Sequence, residues 1–454
     1  MYKIYLIIFF LLSILSLSAQ EVESKKETVP EKKEEVIPSE NSSKKEEKPT
    51  EALKKEEKPA EPPQKEEKPV APPKTPNASV DTRLGRGLYV KTEDSQFTMQ
   101  MRARIQARYT YQAVSEDSKS DQEGAEIRRL RLVTRGNIYG KEWTYYIQLG
   151  VANQDMETRP IPLRDAVINY NKWSDFRISM GQMKVPFNRQ RLTSSSALQM
   201  VDRSIVNSEL NLDRNIGIQV FSENFLGLNR KFGYNLGVFH GNGRNTNLKP
   251  TGLLWVGKFT YSPFGGMTRK VFNEEENDSL SESDLSRSSD PRLAISVSVA
   301  KNNNTDRSQS TIGTIYQFAK FDYNHQCVDV FFKWGGFSMM GELIRRVANA
   351  PYQEKEDTTT GRLSREYSRS AEGFFIQAGY LFPNYYEVSM RYGEYRPIGK
   401  TDPNLVTSIE QGVGLSKYFE DHNLKVQADF FQIKGTPAIQ GETYQFRIQT
   451  QVFY

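Results

Sequence analysis

Arg102, Arg104 and Arg108 fall on one parity of the stretch "QFTMQMRARIQARYTYQ" (96–112), and Arg129, Arg131 and Arg135 fall on one parity of "EIRRLRLVTRG" (126–136). A guanidinium keeps its charge and donates through a rigid planar fork. A ladder of them therefore concentrates anions and offers bidentate hydrogen bonds to oxyanions. Arg391 and Arg447 add positive charge of the same parity from later segments, against Asp165, Glu342, Glu387 and Asp429. Many of the remaining acids lie in 116–126, 274–290 and 354–357, outside the alternating stretches, which are left relatively basic. Other chemistry is poorly provided for. The three histidines, His240, His325 and His422, are too scattered for a zinc motif, and Cys327 is the single cysteine, so no disulfide or redox pair forms within the chain. The serines 194–196 have no histidine near them in sequence and no GxSxG occurs, so a hydrolase is disfavoured. No cofactor or metal is expected. Nor is nucleic acid, because the basic residues alternate rather than forming an exposed stripe.

The arginines must be positioned by strands. In the first stretch Phe97, Met99, Met101, Ile105, Tyr109 and Tyr111 interleave with the polar residues, the pattern of a strand between an apolar and a polar medium. The pattern recurs in "WTYYIQLGV", "FRISMGQ", "RLAISVSVA", "FSMMGELIRR", "FFIQAGYLF", "YEVSMRYGEYR", "NLKVQADFFQIK" and "YQFRIQTQVFY". Short connections such as "NIYGKE" and "NKWSD" separate some strands, and long polar ones such as 272–290 and 349–366 separate others. We read the long ones as lying on one side only. A hydrophobic content of 37% and a mean hydropathy of −0.64 exclude a bundle of transmembrane helices. Strands of roughly ten residues joined alternately by short and long connections describe a transmembrane β-barrel, and the length available gives about 16 strands. Trp143, Tyr145, Tyr170, Trp173, Phe382, Tyr385 and Tyr386 near strand ends suit interfacial girdles, and the chain closes on an aromatic strand ending in Tyr454. A soluble propeller or sandwich would alternate as well, but would not explain these features together. The expected fold is all-β: an antiparallel transmembrane barrel of about 16 strands, its inward residues lining a water-filled lumen. An arginine on the lipid face would cost about 2–4 kcal/mol at the midplane, which sets the parity.

Residues 1–19 read as a signal peptide: Lys3, the apolar run "IYLIIFFLLSILSL" and a small residue, Ala19, suited to cleavage. Residues 20–80 form a Lys/Glu/Pro-rich linker in which "KKEEKP" occurs at 44–49 and 54–59 and "QKEEKP" at 64–69. So little apolar surface cannot offset the entropy of ordering, and a disordered spacer is expected. Removing its 13 Lys and 15 Glu (21–79), with Lys3, from the chain's 61 basic and 56 acidic residues leaves 47 and 41, about +6 for the remainder. Residues 88–454 are assigned to the barrel.

The runs "IRRLRLVTRGNIYGKEWTYYIQLGVA", "PLRDAVINYNKW", "FRISMGQMKVPFNRQRLTSS", "LQMVDRS", "DRNIGIQVF" and "YNLGVFHGNGRN" occur in that order, with "MMGELI", "AGYLF", "VSMRYG" and the terminal "FRIQTQVFY" after them. Over 88–454, and most specifically over 127–243, this resembles the phosphate-selective porin O and P family of bacterial outer membranes. The resemblance implies a 16-stranded, homotrimeric barrel held in outer-membrane lipid, with its long third extracellular loop folded into the lumen. It also implies basic residues that pass inorganic phosphate or other small anions. On this sequence the loop falls at about 186–214, so Arg189, Arg191, Arg203 and Arg214, with Lys184 at its edge, become constriction candidates. The pair Arg128–Arg129 matches the family's double arginine and is carried over as pore-lining. Strict alternation sends one of the two outward, which a bulge or a position near the membrane edge would reconcile. The alternatives are a general diffusion porin and a surface-exposed adhesin or receptor barrel acting through the acidic loops.

Overall fold

A computed structural model describes residues 77–115, 120–156, 161–246, 252–271, 274–356, 358–359, 361–436 and 439–454. The signal peptide and nearly all of the linker lie outside the described residues. In chain order the strands are β1 (Ala78–Arg83), β2 (Gly87–Thr92), β3 (Phe97–Val114), β4 (Gln122–Ile138), β5 (Trp143–Gly150), β6 (Leu163–Trp173), β7 (Phe176–Lys184), β8 (Arg214–Ser222), β9 (Phe232–Phe239), β10 (Leu254–Tyr261), β11 (Thr268–Val271) and β12 (Glu274–Asn277). They continue with β13 (Arg292–Thr305), β14 (Phe321–Trp334), β15 (Phe337–Ala348), β16 (Tyr352–Glu356), β17 (Leu363–Tyr367), β18 (Ala371–Leu381), β19 (Tyr386–Pro397), β20 (Ser408–Glu420), β21 (Leu424–Thr436) and β22 (Ile439–Phe453).

Sixteen of these close into an antiparallel barrel. Each barrel strand from β3 pairs with the next, and β22 returns to β3 with Thr443 opposite Val114 and Phe453 opposite Arg104. The remaining strands form three hairpins. β1–β2 precedes the barrel and adds to β3, while β11–β12 and β16–β17 decorate two connections. The structured part thus begins N-terminal to residue 88, and the barrel itself starts at Phe97.

Burial is inverted relative to a water-soluble protein. On β3, Ile105 is 47% exposed while its neighbour Arg104 is 2% exposed. The exposed apolar set includes Leu132, Ile147, Ile218, Val299, Ile376 and Val413, spread over strands all around the barrel. Water would penalise such a belt, and lipid solvates it. Trp143 and Tyr170 pack at 4.7 Å and Tyr170 meets Trp173 edge-on at 5.5 Å, at one rim of the belt. That rim carries the tight turns at 174–175, 335–336, 382–385 and 421–423, together with Tyr454.

Two expectations need correction. The long loops do not lie on one side only. Counting along the barrel, the connection 262–291 follows the eighth barrel strand, β10, and so emerges at the rim of the tight turns. Loop length alone does not reveal this, because the side depends on the parity of all the strands before it. Nor is the lumen lined only by water-facing groups. The connection 185–213, here L3, folds inside and forms an apolar cluster with one wall. Val185, Phe187, Val206, Leu210 and Leu212 bury themselves against Phe239, Leu254, Phe331, Ile344 and Phe375.

The outward belt makes a direct prediction. Ile376→Arg on β18 is expected to destabilise the barrel by about 2–4 kcal/mol in lipid, measured by reversible urea unfolding in vesicles. A loss under about 0.5 kcal/mol would mean that this face does not meet hydrocarbon.

Candidate functional site

L3 crosses the lumen and is tied to opposite walls. Its apolar half rests on β9–β18, as described. Ser204 caps the short helix Ile205–Leu210, its Oγ accepting from the Asn207 N–H at 3.0 Å. Within this helix the Glu209 carboxylate takes Arg346 at 2.5 Å and Arg369 at 2.9 Å. Glu342 accepts from Asn188 Nδ2 and from the Gln190 N–H. The other half of L3 meets the arginine wall. Arg104 donates to Ser195 Oγ (2.9 Å), Gln106 to the Ser195 carbonyl (3.0 Å), and Arg108 to the Val201 carbonyl (3.2 Å). On the β18 side glycine clears room for L3: a Cβ on Gly379 would stand 2.1 Å from Gln199 Nε2.

Asp202 is the centre of the arginine side. Its carboxylate lies 3.1 Å from Arg108, 3.3 Å from Arg128 and 3.2 Å from Arg129. The double arginine converges here because the β3–β4 register shifts: Gln106 pairs with Arg129 but Ala107 pairs with Ile127, so Arg128 is the extra residue of a bulge. Both side chains therefore reach inward. Burial alone would raise the Asp202 pKa, but Arg129, Arg108 and Arg128 hold it well below the usual carboxylate range. Burial likewise opposes ionisation of Glu209, and Arg346 and Arg369 more than offset it.

Beside Asp202 is a cavity of about 380 Å³ lined by six arginines, Arg128, Arg129, Arg191, Arg203, Arg391 and Arg447, with Asp202 and Glu410 as its only carboxylates among the described residues. A wider cavity of about 490 Å³ shares Arg128, Asp202, Gln445 and Arg447 with it and adds Arg108 together with two carboxylates, Glu123 and Glu126. Together they form a cationic vestibule between L3 and the β3–β4–β22 wall. Arg391 and Arg447 have partners of their own, Glu410 at 2.9 Å and Asp429 at 2.7 Å.

Of the other candidates, Arg191 and Arg203 line the vestibule and the rest lie elsewhere. Arg131 pairs with Asp155 (2.5 Å), and Arg214 makes a two-pronged contact to Asp165 at 3.0 and 2.9 Å. Arg189 pairs with Asp329 (2.6 Å) and reaches Ser296 Oγ, while Arg191 pairs with Asp213. Lys184 and Arg203 donate to L3 carbonyls, Lys184 to Leu192 and Thr193, Arg203 to Gln190 and Thr193. Arg102 and Arg135 lie toward the other rim, bonded to Asn423 (2.7 Å) and to Glu276 (3.3 Å). The sequence reading passed over Lys258 and Lys333, which point inward and contact Asp329 and Asp278. Their signal was available: Lys258 shares its parity with Leu254 and Val256 on the buried side of β10.

The family model of the phosphate-selective porins O and P matches residues 99–436, the bulk of the chain. The chain belongs to this family. Its closed barrel places it in the bacterial outer membrane as a porin channel. Among solved structures it is similar in fold to OmpF of Salmonella typhi in complex with daunomycin, with a TM-score of 0.53 and 11% identity over 80% of this chain and 100% of that one. It is also similar to an anion-selective porin from Comamonas acidovorans (0.51, 11%, 79% and 100%). The outer-membrane channel DcaP of Acinetobacter baumannii is similar too (0.50, 13%, 80% and 99%). No curated protein sequence matches it. As an outer-membrane porin the protein keeps its short turns at the periplasmic rim and opens L3 and the vestibule toward the outside.

Asp202→Asn removes the one countercharge shared by three guanidinium groups. The expected result is a reversal potential shifted further toward the anion limit in a KCl gradient across a planar bilayer. A shift toward cations would show that Asp202 orders the arginines rather than neutralising them.

Proposed function

We propose that this porin passes small anions by passive diffusion, with inorganic phosphate the leading solute, and that it does so as a homotrimer. The carrying observation is the vestibule: six arginines face two carboxylates in a cavity large enough for a hydrated oxyanion. Charge of one sign behind low-dielectric walls raises the local anion concentration, and guanidinium forks suit tetrahedral oxyanions. Further inward, Arg104, Arg131 and Arg214 continue the basic wall, but each is already engaged by L3 or by a carboxylate. An anion passing from fork to fork is bound weakly at several neighbouring places, which is what throughput requires. The description of the matched family names phosphate, and the vestibule supplies a chemical reason for it.

Arg128 and Arg129 are the residues to change, since Arg108 remains to pair with Asp202. The double variant R128Q/R129Q is expected to fold, to lose about tenfold in the phosphate affinity read from block of chloride current, and to move its reversal potential toward zero. Block and selectivity both at the wild-type level would remove the vestibule from the mechanism. Crosslinking of the purified porin, read on a denaturing gel, tests the trimer.

A further inference from the structure

The periplasmic connection 262–291 does not lie outside the barrel. After the β11–β12 hairpin the chain turns into the lumen, and Asp278, Glu282, Ser283, Asp284 and Leu285 are all at most 5% exposed. The stretch reaches much of the inner wall. Asp278 lies 2.7 Å from Lys333 on β14 and 3.4 Å from Arg292 on β13. Ser283 bonds Glu387 on β19 (2.8 Å) and Tyr418 on β20 (2.6 Å). Ser281 bonds His422 in the β20–β21 turn (2.9 Å), and Asp284 accepts from the Gly336 N–H (2.8 Å).

It also meets L3 from below. The Glu282 N–H donates to the Ala197 carbonyl at 3.0 Å, and its carboxylate accepts from the Gln199 N–H (2.9 Å) and from Gln377 (3.0 Å). Its second oxygen, Oε1, is buried with no hydrogen-bond partner among the described residues. Arg189 of L3 donates to the Ser279 carbonyl (3.0 Å). The two inserted segments therefore touch each other, one entering from each rim.

They are held differently. L3 is seated by apolar side chains buried to the last few per cent, a contact that water cannot replace. The periplasmic insert is seated mainly by hydrogen bonds and ion pairs, with Leu285 against Leu381 and Tyr418 as its apolar cluster. Water can take over polar contacts of that kind at small net cost once the segment withdraws. There is also space next to it: a cavity of about 280 Å³ lies between Asn277, Ser279 and Leu280 of the insert and Lys184, Arg189 and Lys258 of L3 and the wall.

We propose that residues 278–286 form a second, movable constriction. It closes the channel from the periplasmic end and is latched to L3 through Glu282, so that its withdrawal controls how much the vestibule delivers. This goes beyond the anion reading and is separable from it, since it concerns conductance rather than preference.

Two variants in the full-length protein test it, each in planar bilayers and each checked for folding by heat-dependent gel mobility. In the first, Asp278–Ser286 is replaced by a short Gly-Ser bridge, and single-channel conductance is expected to rise about threefold or more. In the second, Ala197→Cys and Glu282→Cys are combined with Cys327→Ala. Oxidation joins the two adjacent backbones and is expected to hold the channel at its lowest conductance level, with return to the wild-type level on reduction by a thiol. Wild-type conductance in the folded replacement variant overturns the proposal. So does a crosslinked channel whose conductance does not respond to reduction. If the replacement variant does not fold, the crosslink alone decides. Reversal potentials recorded alongside report on anion preference, so a lost preference with raised conductance counts against the anion reading and for the gate.

Discussion

A polar strap inside a closed barrel has to find a partner for every buried carboxylate and backbone group, and this requirement governs the interior of the porin. L3 brings Asp202, Glu209 and Asp213 away from bulk water, and each would be prohibitive alone. Guanidinium groups answer from the strands, from the connection before β18 and from L3 itself: Arg108, Arg128 and Arg129 for Asp202, Arg346 and Arg369 for Glu209, Arg191 and Arg214 for Asp213. Much of the basic ladder is thus structural first. On the proposed reading, capacity for anions comes from the arginines that outnumber the acids, and these are concentrated in the vestibule.

The lumen has two unlike walls for a related reason. The β9–β18 side turns Phe239, Phe331, Ile344 and Phe375 inward and buries apolar side chains of L3. The β3–β4–β22 side turns arginine and glutamine inward, and β3 and β4 hold L3 by the Ser195 hydroxyl, by its carbonyls and by the Asp202 carboxylate. Apolar burial sets where the strap lies, and charge pairing sets which face it shows to a solute. A substitution on the first wall should loosen the constriction, whereas one on the second should alter preference without moving the strap far.

The periplasmic insert adds a second layer of the same kind of contact without the apolar anchor. It brings acids to an interior that is otherwise basic and shares Lys333, Arg292, Glu387 and Tyr418 with the wall. A constriction built mostly from exchangeable contacts suits a moving part, and one seated on buried aromatic and aliphatic groups suits a fixed one.

The period-two alternation determined the barrel, its parity and the inward direction of Arg104, Arg108, Arg129 and Arg131, because a one-residue slip would expose every arginine to lipid. The order of the family-like segments likewise located L3 near 186–214. What the alternation could not contain was the bulge that turns Arg128 inward beside Arg129, since a bulge is defined by the partner strand. Nor could it tell which arginines stay available. Arg189 and Arg214 look like Arg128 in sequence, yet Asp329 and Asp165, far away along the chain, engage them. The acidic stretch 274–290 has the composition of a solvated loop, and only the strand count and the inward path of the chain placed it at the periplasmic rim against L3. Local pattern records which medium each side chain meets. Which groups neutralise one another is decided by closure of the barrel, which brings distant segments within hydrogen-bonding distance.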